Sequence, residues 1–214
     1  MSIKILLLFL LSILMPSVGT QKDKAKIFQG IEIGIINKVS SNMTIITVNI
    51  GDIAQNCVNL DNFIVDAGIG GNIIVKDSLG VSVNSNINGN SLQITRASTG
   101  DKFFKIHYSP GFEGLNTGSA CSLINYSIGL AKTNQYVFEK KFIELMIENH
   151  ETLRSEINVP NGIGFGYGII LSNGTTIETQ EGELSSNVYV KETPVEYVDL
   201  DGNIMEGYIK TKIW

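Results

Sequence analysis

The strongest constraint on the fold is a stretch of alternating residues that begins at Ile27 and ends at Ile50. Successive side chains of a β-strand point to opposite faces, so this alternation predicts extended strands with one buried face. Ser40-Ser41-Asn42 divides the stretch into two runs, whose apolar members are Ile27, Ile31, Ile33, Ile35 and then Ile46, Val48, Ile50. We expect the first run to be a strand that pairs either within its own sheet or with a neighbouring subunit.

Short strand signals separated by turn signals fill much of the remaining chain. Leu92 and Ile94 alternate with polar residues, Phe103–Tyr108 ends at a Ser-Pro-Gly turn, and Asp201-Gly202 marks a hairpin. Turns at this close spacing predict an all-β sandwich or barrel and not a βαβ fold. Gln135–Arg154 fits both a helical stripe and a strand, so we expect at least part of it to be strand, with one short helix after residue 135.

The first 19 residues have the composition of a secretory signal peptide. Lys4 supplies a positive charge, Ile5–Met15 an apolar run, and Ser17-Val18-Gly19 a cleavage site. The apolar run is short for a bilayer span and no later segment repeats it, although a retained anchor is the alternative. We expect a signal peptide over residues 1–19, then a single β-sandwich domain over residues 20–214, with an N-terminal extension over residues 20–38 and no membrane span.

Removal of the signal peptide leaves an acidic chain. Without Lys4, 15 basic residues stand against 21 acidic ones, which gives a net charge of −6. The sequence contains no cluster of lysine and arginine that would attract phosphate groups. Nucleic acid is therefore not an expected partner.

Two cysteines, Cys57 and Cys121, are present. In an oxidising compartment we expect them to form a disulfide, and a free reactive thiol is the weaker alternative. The bridge would close a loop of about 65 residues and stabilise the fold by roughly 4 kcal/mol in the chain-entropy model.

Candidate catalytic and metal-binding residues are few. His107 and His150 have no cysteine, aspartate or second histidine at metal-ligand spacing. Asp199, Asp201 and Asn203 match the opening of a calcium loop, but the positions that require glycine and glutamate hold other residues, so a hairpin turn is favoured. We expect no enzymatic activity, no metal and no cofactor.

Four glycines alternate with apolar residues just before residue 170, namely Gly162, Gly164, Gly166 and Gly168. A phosphate-binding loop would lead into a helix, whereas strand and turn signals follow here. Two interpretations stay open. The bare face is either a packing surface for another backbone or an aromatic ring, or the floor of a groove that accepts a foreign strand.

Five aromatic residues are candidates for stacking on sugar rings: Tyr167, Tyr189, Tyr197, Tyr208 and Trp214. Tyrosine and tryptophan are equally suited to the ends of a β core, where the polar tip reaches water. For any single one of these residues, membership of the core is the favoured interpretation.

The layout as a whole resembles subunits of chaperone–usher fimbriae, particularly the archaic-type pilins. The shared features are the signal peptide, the alternating segment Ile27–Ile36, a single cysteine pair, many short strands and the aromatic-tipped final segment Gly207–Trp214. The resemblance implies an immunoglobulin-like sandwich that lacks one strand. The N-terminal extension of the next subunit fills that gap.

The resemblance also implies roles for particular residues and partners. The side chains inserted into the neighbour would be Ile27, Ile31, Ile33 and Ile35, while Gly30 and Gly34 would allow close approach of the backbone. Other pilin-like subunits and a periplasmic chaperone would be partners, and a host glycan or protein could be a ligand. The protein would pass through the periplasm to the cell surface or a fimbrium.

The leading hypothesis is therefore a secreted, non-enzymatic structural or adhesive subunit joined by donor-strand exchange. The alternative is a self-contained β-sandwich that recognises a carbohydrate or a protein through aromatic residues and loops.

Overall fold

A computed structural model describes residues 24–50, 55–59, 72–88, 91–95, 103–112, 126–179 and 187–214. The helices are α1 (residues 24–39), α2 (Glu139–Ile147) and α3 (His150–Glu156). The strands are β1 (Ser40–Ile50), β2 (Gln55–Asn59), β3 (Ile73–Lys76), β4 (Ser82–Val83), β5 (Ser85–Asn88), β6 (Ser91–Thr95), β7 (Phe103–Tyr108), β8 (Tyr126–Phe138), β9 (Phe165–Ile170), β10 (Thr176–Glu178), β11 (Tyr189–Val198) and β12 (Ile204–Ile213).

The described chain is mostly β, and α2 is the short helix expected after residue 135, so the predicted fold class is confirmed. The immunoglobulin-like connectivity stays a prediction. Contacts divide the chain into two compact units. The helix unit contains the described part of Met1–Lys38 with Ile143–Val195 and Glu206–Trp214, and the sandwich unit contains Val39–Phe142 and Glu196–Met205. A single domain over residues 20–214 stays a prediction.

The sandwich unit is built around β1. This strand pairs antiparallel with β7 on one side and β8 on the other, and the order continues through β3 to β4. Tyr197 and Val198 of β11 pair in parallel with the end of β8, which makes the sheet mixed. A second sheet has the order β2-β6-β5. Apolar side chains from the two sheets share one core, so the predicted second run of the opening stretch is confirmed as a strand with one buried face.

The first run is not a strand, because residues 24–39 are helical. Ile31 and Ile35 are buried at 1% and 0% exposure, whereas Ile33 is 50% exposed. A strand would have placed Ile33 and Ile35 on the same face, so the predicted strand conformation of Ile27, Ile31, Ile33 and Ile35 is wrong, while their role as donor residues stays a prediction. The physical reason is that the same isoleucines also follow a helical spacing. Ile27, Ile31 and Ile35 are four residues apart, as on one face of a helix, and Gln29 interrupts the alternation.

Several contacts fix α1 inside the helix unit. A Cβ atom added at Gly34 would lie 2.6 Å from Cβ of Ile157, so the helix can approach that side chain only because residue 34 is glycine. Lys191 of β11 forms an ion pair with Glu32, and Lys38 is paired with Glu156. The N-terminal segment is therefore committed to its own chain. Gly30, the other glycine expected at a close approach, has no neighbour within 4 Å of an added Cβ.

The ambiguous segment from Gln135 resolves into strand followed by helix. Its first residues complete β8, as expected for a part of it, and α2 then buries Phe142 and Leu145 while Ile147 is exposed. α3 begins after Asn149, whose side chain accepts hydrogen bonds from the backbone N–H groups of the first turn. None of the helices in the described ranges is long and apolar enough to cross a membrane.

Candidate functional site

We name Gly162, Gly164, Gly166 and Gly168, which lie in β9 and just before it, the glycine strip. This strip supports the indole ring of Trp214. Backbone hydrogen bonds of 2.9 and 3.0 Å join Gly164 and Trp214 in both directions. A Cβ atom added at Gly164 would lie 2.2, 2.3 and 2.6 Å from Nε1, Cε2 and Cδ1 of the indole. Three neighbouring ring atoms at such similar distances mean that the ring rests face-on over this glycine, since an in-plane approach would bring only one atom close.

The neighbouring glycines extend this support. An added Cβ at Gly166 would lie 3.1 Å from Oγ1 of Thr179 and 3.5 Å from Cζ3 of the indole, so the ring runs along the strand. At Gly168 the close atoms belong to β10. Gly162 has a φ of 83° and open space, so it serves the turn before the strand. Of the two interpretations of this strip, the packing surface is correct. The groove for a foreign strand is wrong, because the chain's own Trp214 and β10 occupy it.

One cavity beside Trp214 has a volume of about 460 Å³, and we name it the Glu148 cleft. Its lining consists of Met146, Glu148, His150, Phe165, Tyr167, Thr179 and Trp214. All of these residues belong to the helix unit. Its volume lies within the range of about 300–1,000 Å³ that small-molecule sites occupy, and aromatic walls with a few polar groups are typical of such sites.

The aromatic walls of the Glu148 cleft are held rigidly. The His150 ring stacks on Phe165 with centroids 4.2 Å apart, and Phe165 lies nearly parallel to Tyr167. The Tyr167 hydroxyl donates a 3.0 Å hydrogen bond to the Leu145 carbonyl. Burial, with a smaller contribution from Glu148, raises the pKa of Tyr167 to about 12, so this hydroxyl keeps its hydrogen at physiological pH.

Polar atoms of defined character line the same cleft. Nε2 of His150 lies 3.1 Å from the Phe165 carbonyl oxygen, which can only accept, so this nitrogen carries a hydrogen and donates it. The Glu148 carboxylate lies 3.7 Å from the Lys38 ammonium and is about one-third exposed. The Thr179 hydroxyl is bonded to the backbone of Tyr167. The Glu148 carboxylate therefore offers acceptors for the hydroxyl groups of a ligand.

A second cavity, the Lys24 cleft, shares Trp214 as a wall and has a volume of about 250 Å³. Its lining consists of Lys24, Ile27, Ile163, Asn187, Tyr189, Ile213 and Trp214, all within the helix unit. The Lys24 ammonium lies 3.7 Å from the centroid of the Tyr189 ring. This cation–π contact places a positive charge at the edge of the cavity.

The structure brings together three of the five predicted stacking residues. Tyr167 and Trp214 line the Glu148 cleft, and Tyr189 and Trp214 line the Lys24 cleft. Tyr197 is buried in the sandwich unit, and Tyr208 is 48% exposed but lines neither cleft. Tyr167 is itself only 2% exposed, so it is chiefly a core residue whose ring edge reaches the cleft.

The sequence did not single out Glu148, Lys24 or Thr179, and it assigned His150 no role. Glu148 and His150 flank Asn149, whereas Thr179 follows β10 and reaches the same cleft beside Gly166. Lys24 lies on α1 and lines the Lys24 cleft. The Asn149 cap was the only local signal, because it predicts that a helix begins at His150.

The turn between β11 and β12 is the hairpin that Asp201-Gly202 predicted. Asp199 accepts hydrogen bonds from the backbone N–H groups of Asp201 and Asn203, and Gly202 has a φ of 76°. The Lys76 ammonium donates to the Asn203 side chain at 2.6 Å. The residues that matched the opening of a calcium loop, Asp199, Asp201 and Asn203, thus form a turn that is hydrogen-bonded to Lys76. Among the described residues, no group of three or more histidine, cysteine, aspartate or glutamate side chains could hold a metal ion.

His107 is buried in the sandwich unit, where Nδ1 lies 3.2 Å from the Gly202 carbonyl oxygen. Nε2 has no hydrogen-bond partner among the described atoms. Burial is the main cause that lowers the pKa of His107 to about 4.

Cys57 is also fully buried, in β2, but Cys121 lies outside the described residues, so the disulfide stays a prediction.

Comparisons with known proteins do not assign the chain to a family. No protein family model, no curated protein and no solved structure matches it.

Proposed function

We propose that this protein is an exported, non-enzymatic binding module whose Glu148 cleft holds a sugar ring against Trp214. A pyranose ring presents apolar C–H groups on its faces and hydroxyl groups around its rim. It therefore needs an aromatic surface bordered by hydrogen-bonding side chains. The Glu148 cleft offers both, because Trp214 supplies aromatic surface while the Glu148 carboxylate supplies acceptors.

The single observation that carries this proposal is the support of Trp214 by the glycine strip. An aromatic ring that rests face-on against a bare strand keeps its orientation and loses little conformational entropy when a ligand binds. Export is proposed from the composition of residues 1–19.

The helical conformation and burial of α1 support the hypothesis of a self-contained module. They argue against assembly by donor-strand exchange with pilin-like subunits and a periplasmic chaperone. Ile31 and Ile35 are buried within the protein's own helix unit, and Glu32 is paired with Lys191. Before α1 could enter a neighbouring sheet it would have to unfold and leave these contacts, which removes the driving force that a disordered extension would have.

The test is binding of the secreted protein to a panel of immobilised polysaccharides. We expect retention on at least one glycan, and a loss of retention in Trp214→Ala. Trp214→Phe, which preserves an aromatic ring, should retain part of the affinity. Tyr208→Ala is the matched control, because this exposed tyrosine lies in the same unit and lines neither cleft.

Two results would contradict the proposal. The first is equal retention of the wild type and Trp214→Ala on every glycan that binds. The second is the release of new reducing ends from a bound glycan, because a pure binding module leaves its ligand intact.

A further inference from the structure

The Lys24 cleft extends the site beyond a single ring. Its volume of about 250 Å³ is below the roughly 300 Å³ at which isolated small-molecule sites begin, so it is small for a site of its own. Trp214 forms a wall of this cleft and of the Glu148 cleft, so the two cavities meet at one indole ring. A ligand that fills both must be longer than one sugar ring.

The two clefts differ in charge. Lys24 is the charged side chain that lines the smaller cleft. Glu148 is the carboxylate that lines the larger one. Because the mature chain has a net charge of −6, its overall field repels anions, and an anionic ligand needs a local cation at this position.

The Lys24 ammonium is positioned for such a ligand. It lies over the Tyr189 ring at 3.7 Å, and the amide of Asn187 lines the same cavity. A lysine held over an aromatic face retains N–H donors for a further oxygen ligand. The Asn187 amide then provides a hydrogen-bonding group for the second ring.

We propose that the ligand is an acidic oligosaccharide of at least two rings, one in each cleft, with its carboxylate or sulfate group bound by Lys24. This inference rests on the proposed function and adds the charge and the minimum length of the ligand. Glu148 accepts hydroxyl groups of the ring in the larger cleft and disfavours an anionic substituent there. The acidic ring is therefore assigned to the smaller cleft.

The test compares tetragalacturonate with its fully methyl-esterified form by titration calorimetry of the secreted protein. The two probes share rings and linkages and differ in charge. We expect the acid to bind about tenfold more tightly than the ester, since a partly exposed charge-assisted hydrogen bond contributes on this scale. This preference should shrink as salt is raised, because salt screens the ammonium. Galacturonic acid, with one ring, should bind far more weakly than the tetramer.

Two lysine variants test whether the preference for the acid comes from Lys24 itself or from the loss of any positive charge on α1. Lys24→Ala should reduce the affinity for tetragalacturonate to that for the ester and leave the ester unchanged. Lys26→Ala, an exposed position of the same helix that does not line the cleft, should change neither. A heparin-derived tetrasaccharide serves as the sulfated arm, and the better of the two acidic probes identifies the anionic group.

Equal affinities for the acid and the ester would overturn this inference and leave the proposed function standing, provided that Trp214→Phe weakens both. An undiminished acid preference in Lys24→Ala would also overturn it. If none of these oligosaccharides binds, and no neutral glycan of the polysaccharide panel does, both the inference and the proposed function fail.

Discussion

Replacement of Ile35 and of Ile33 by alanine distinguishes a helix from a strand at residues 24–39. Ile35 is fully buried, and truncation of a buried isoleucine removes transfer free energy and leaves a cavity, which together cost about 2–5 kcal/mol. Ile33 is 50% exposed, so its truncation should change the free energy of unfolding by less than about 1 kcal/mol. The expected difference between the two variants is about 3 kcal/mol.

Urea unfolding followed by tryptophan emission measures this difference directly. Trp214 is the single tryptophan of the chain and lies in the same unit as α1, so its emission monitors the unit in which the substitutions act. Ile35→Ala should lower the urea midpoint strongly, and Ile33→Ala should leave it close to the wild-type value.

An added peptide spanning Lys26–Ser40 should leave the oligomeric state of the protein unchanged, because this segment is a helix packed within its own unit.

Equal destabilisation by the two substitutions would refute the helical account. A strand with one buried face places residues 33 and 35 on that same face, so both truncations would then have the same effect. Negligible effects of both would mean that the segment does not pack against the helix unit at all.

Four further predictions concern α1, the support of the cleft and the sandwich core. Gly164→Ala should cost about 1–3 kcal/mol and shift Trp214 emission to longer wavelength, because the new methyl group displaces the indole. Gly30→Ala, which has open space on a helix, should instead stabilise the fold by about 0.5–1 kcal/mol. Because the pKa of His107 is lowered to about 4 from 6.5, the unfolded state binds protons more readily. The contribution of His107 to the free energy of unfolding should be fully present above about pH 6.5 and should fall by roughly 3 kcal/mol toward pH 4. Urea titrations at each pH should show that His107→Gln removes this dependence. Tyr167→Phe should lower the free energy of unfolding by about 1 kcal/mol, measured from the denaturant midpoint, because the Leu145 carbonyl loses one of its two donors and keeps the Glu148 N–H at 3.2 Å.

The sequence was sufficient to predict the β core. In β6 and in the second half of β1 the apolar residues alternate, and Ile46, Val48, Leu92 and Ile94 are all buried in the shared core. Phe103–Tyr108 forms a strand with the predicted bounds. In these segments local periodicity and burial agree, because each strand has one face against the opposite sheet.

The N-terminal segment was predicted wrongly because two periods coexist in it. The isoleucines at 31, 33 and 35 suggest a strand, and those at 27, 31 and 35 suggest a helix. Tertiary contacts decide between the two. The close packing of Gly34 on Ile157 and the ion pair of Glu32 with Lys191 join residues that are distant in the chain, and periodicity contains no information about them.

The candidate site was predictable only in part. The bare face of the glycine strip indicated that a backbone or a ring lies against β9, but the sequence did not identify Trp214 as that ring. Glu148 and Lys24 reach the two clefts through the packing of α1, α2 and β12, which no local pattern indicates. Stacking residues could be proposed from their chemistry, whereas the polar residues beside them required the fold.

The most direct test of the central claim is the emission of Trp214 during titration with an oligosaccharide that the protein binds. The chain has no other tryptophan, so any change reports on the ring that the two clefts share. We expect a saturable change in intensity or wavelength with the same Kd as calorimetry gives, and the same change in Tyr208→Ala. Binding that saturates by calorimetry while Trp214 emission stays constant would show that the ligand binds elsewhere and would contradict the account.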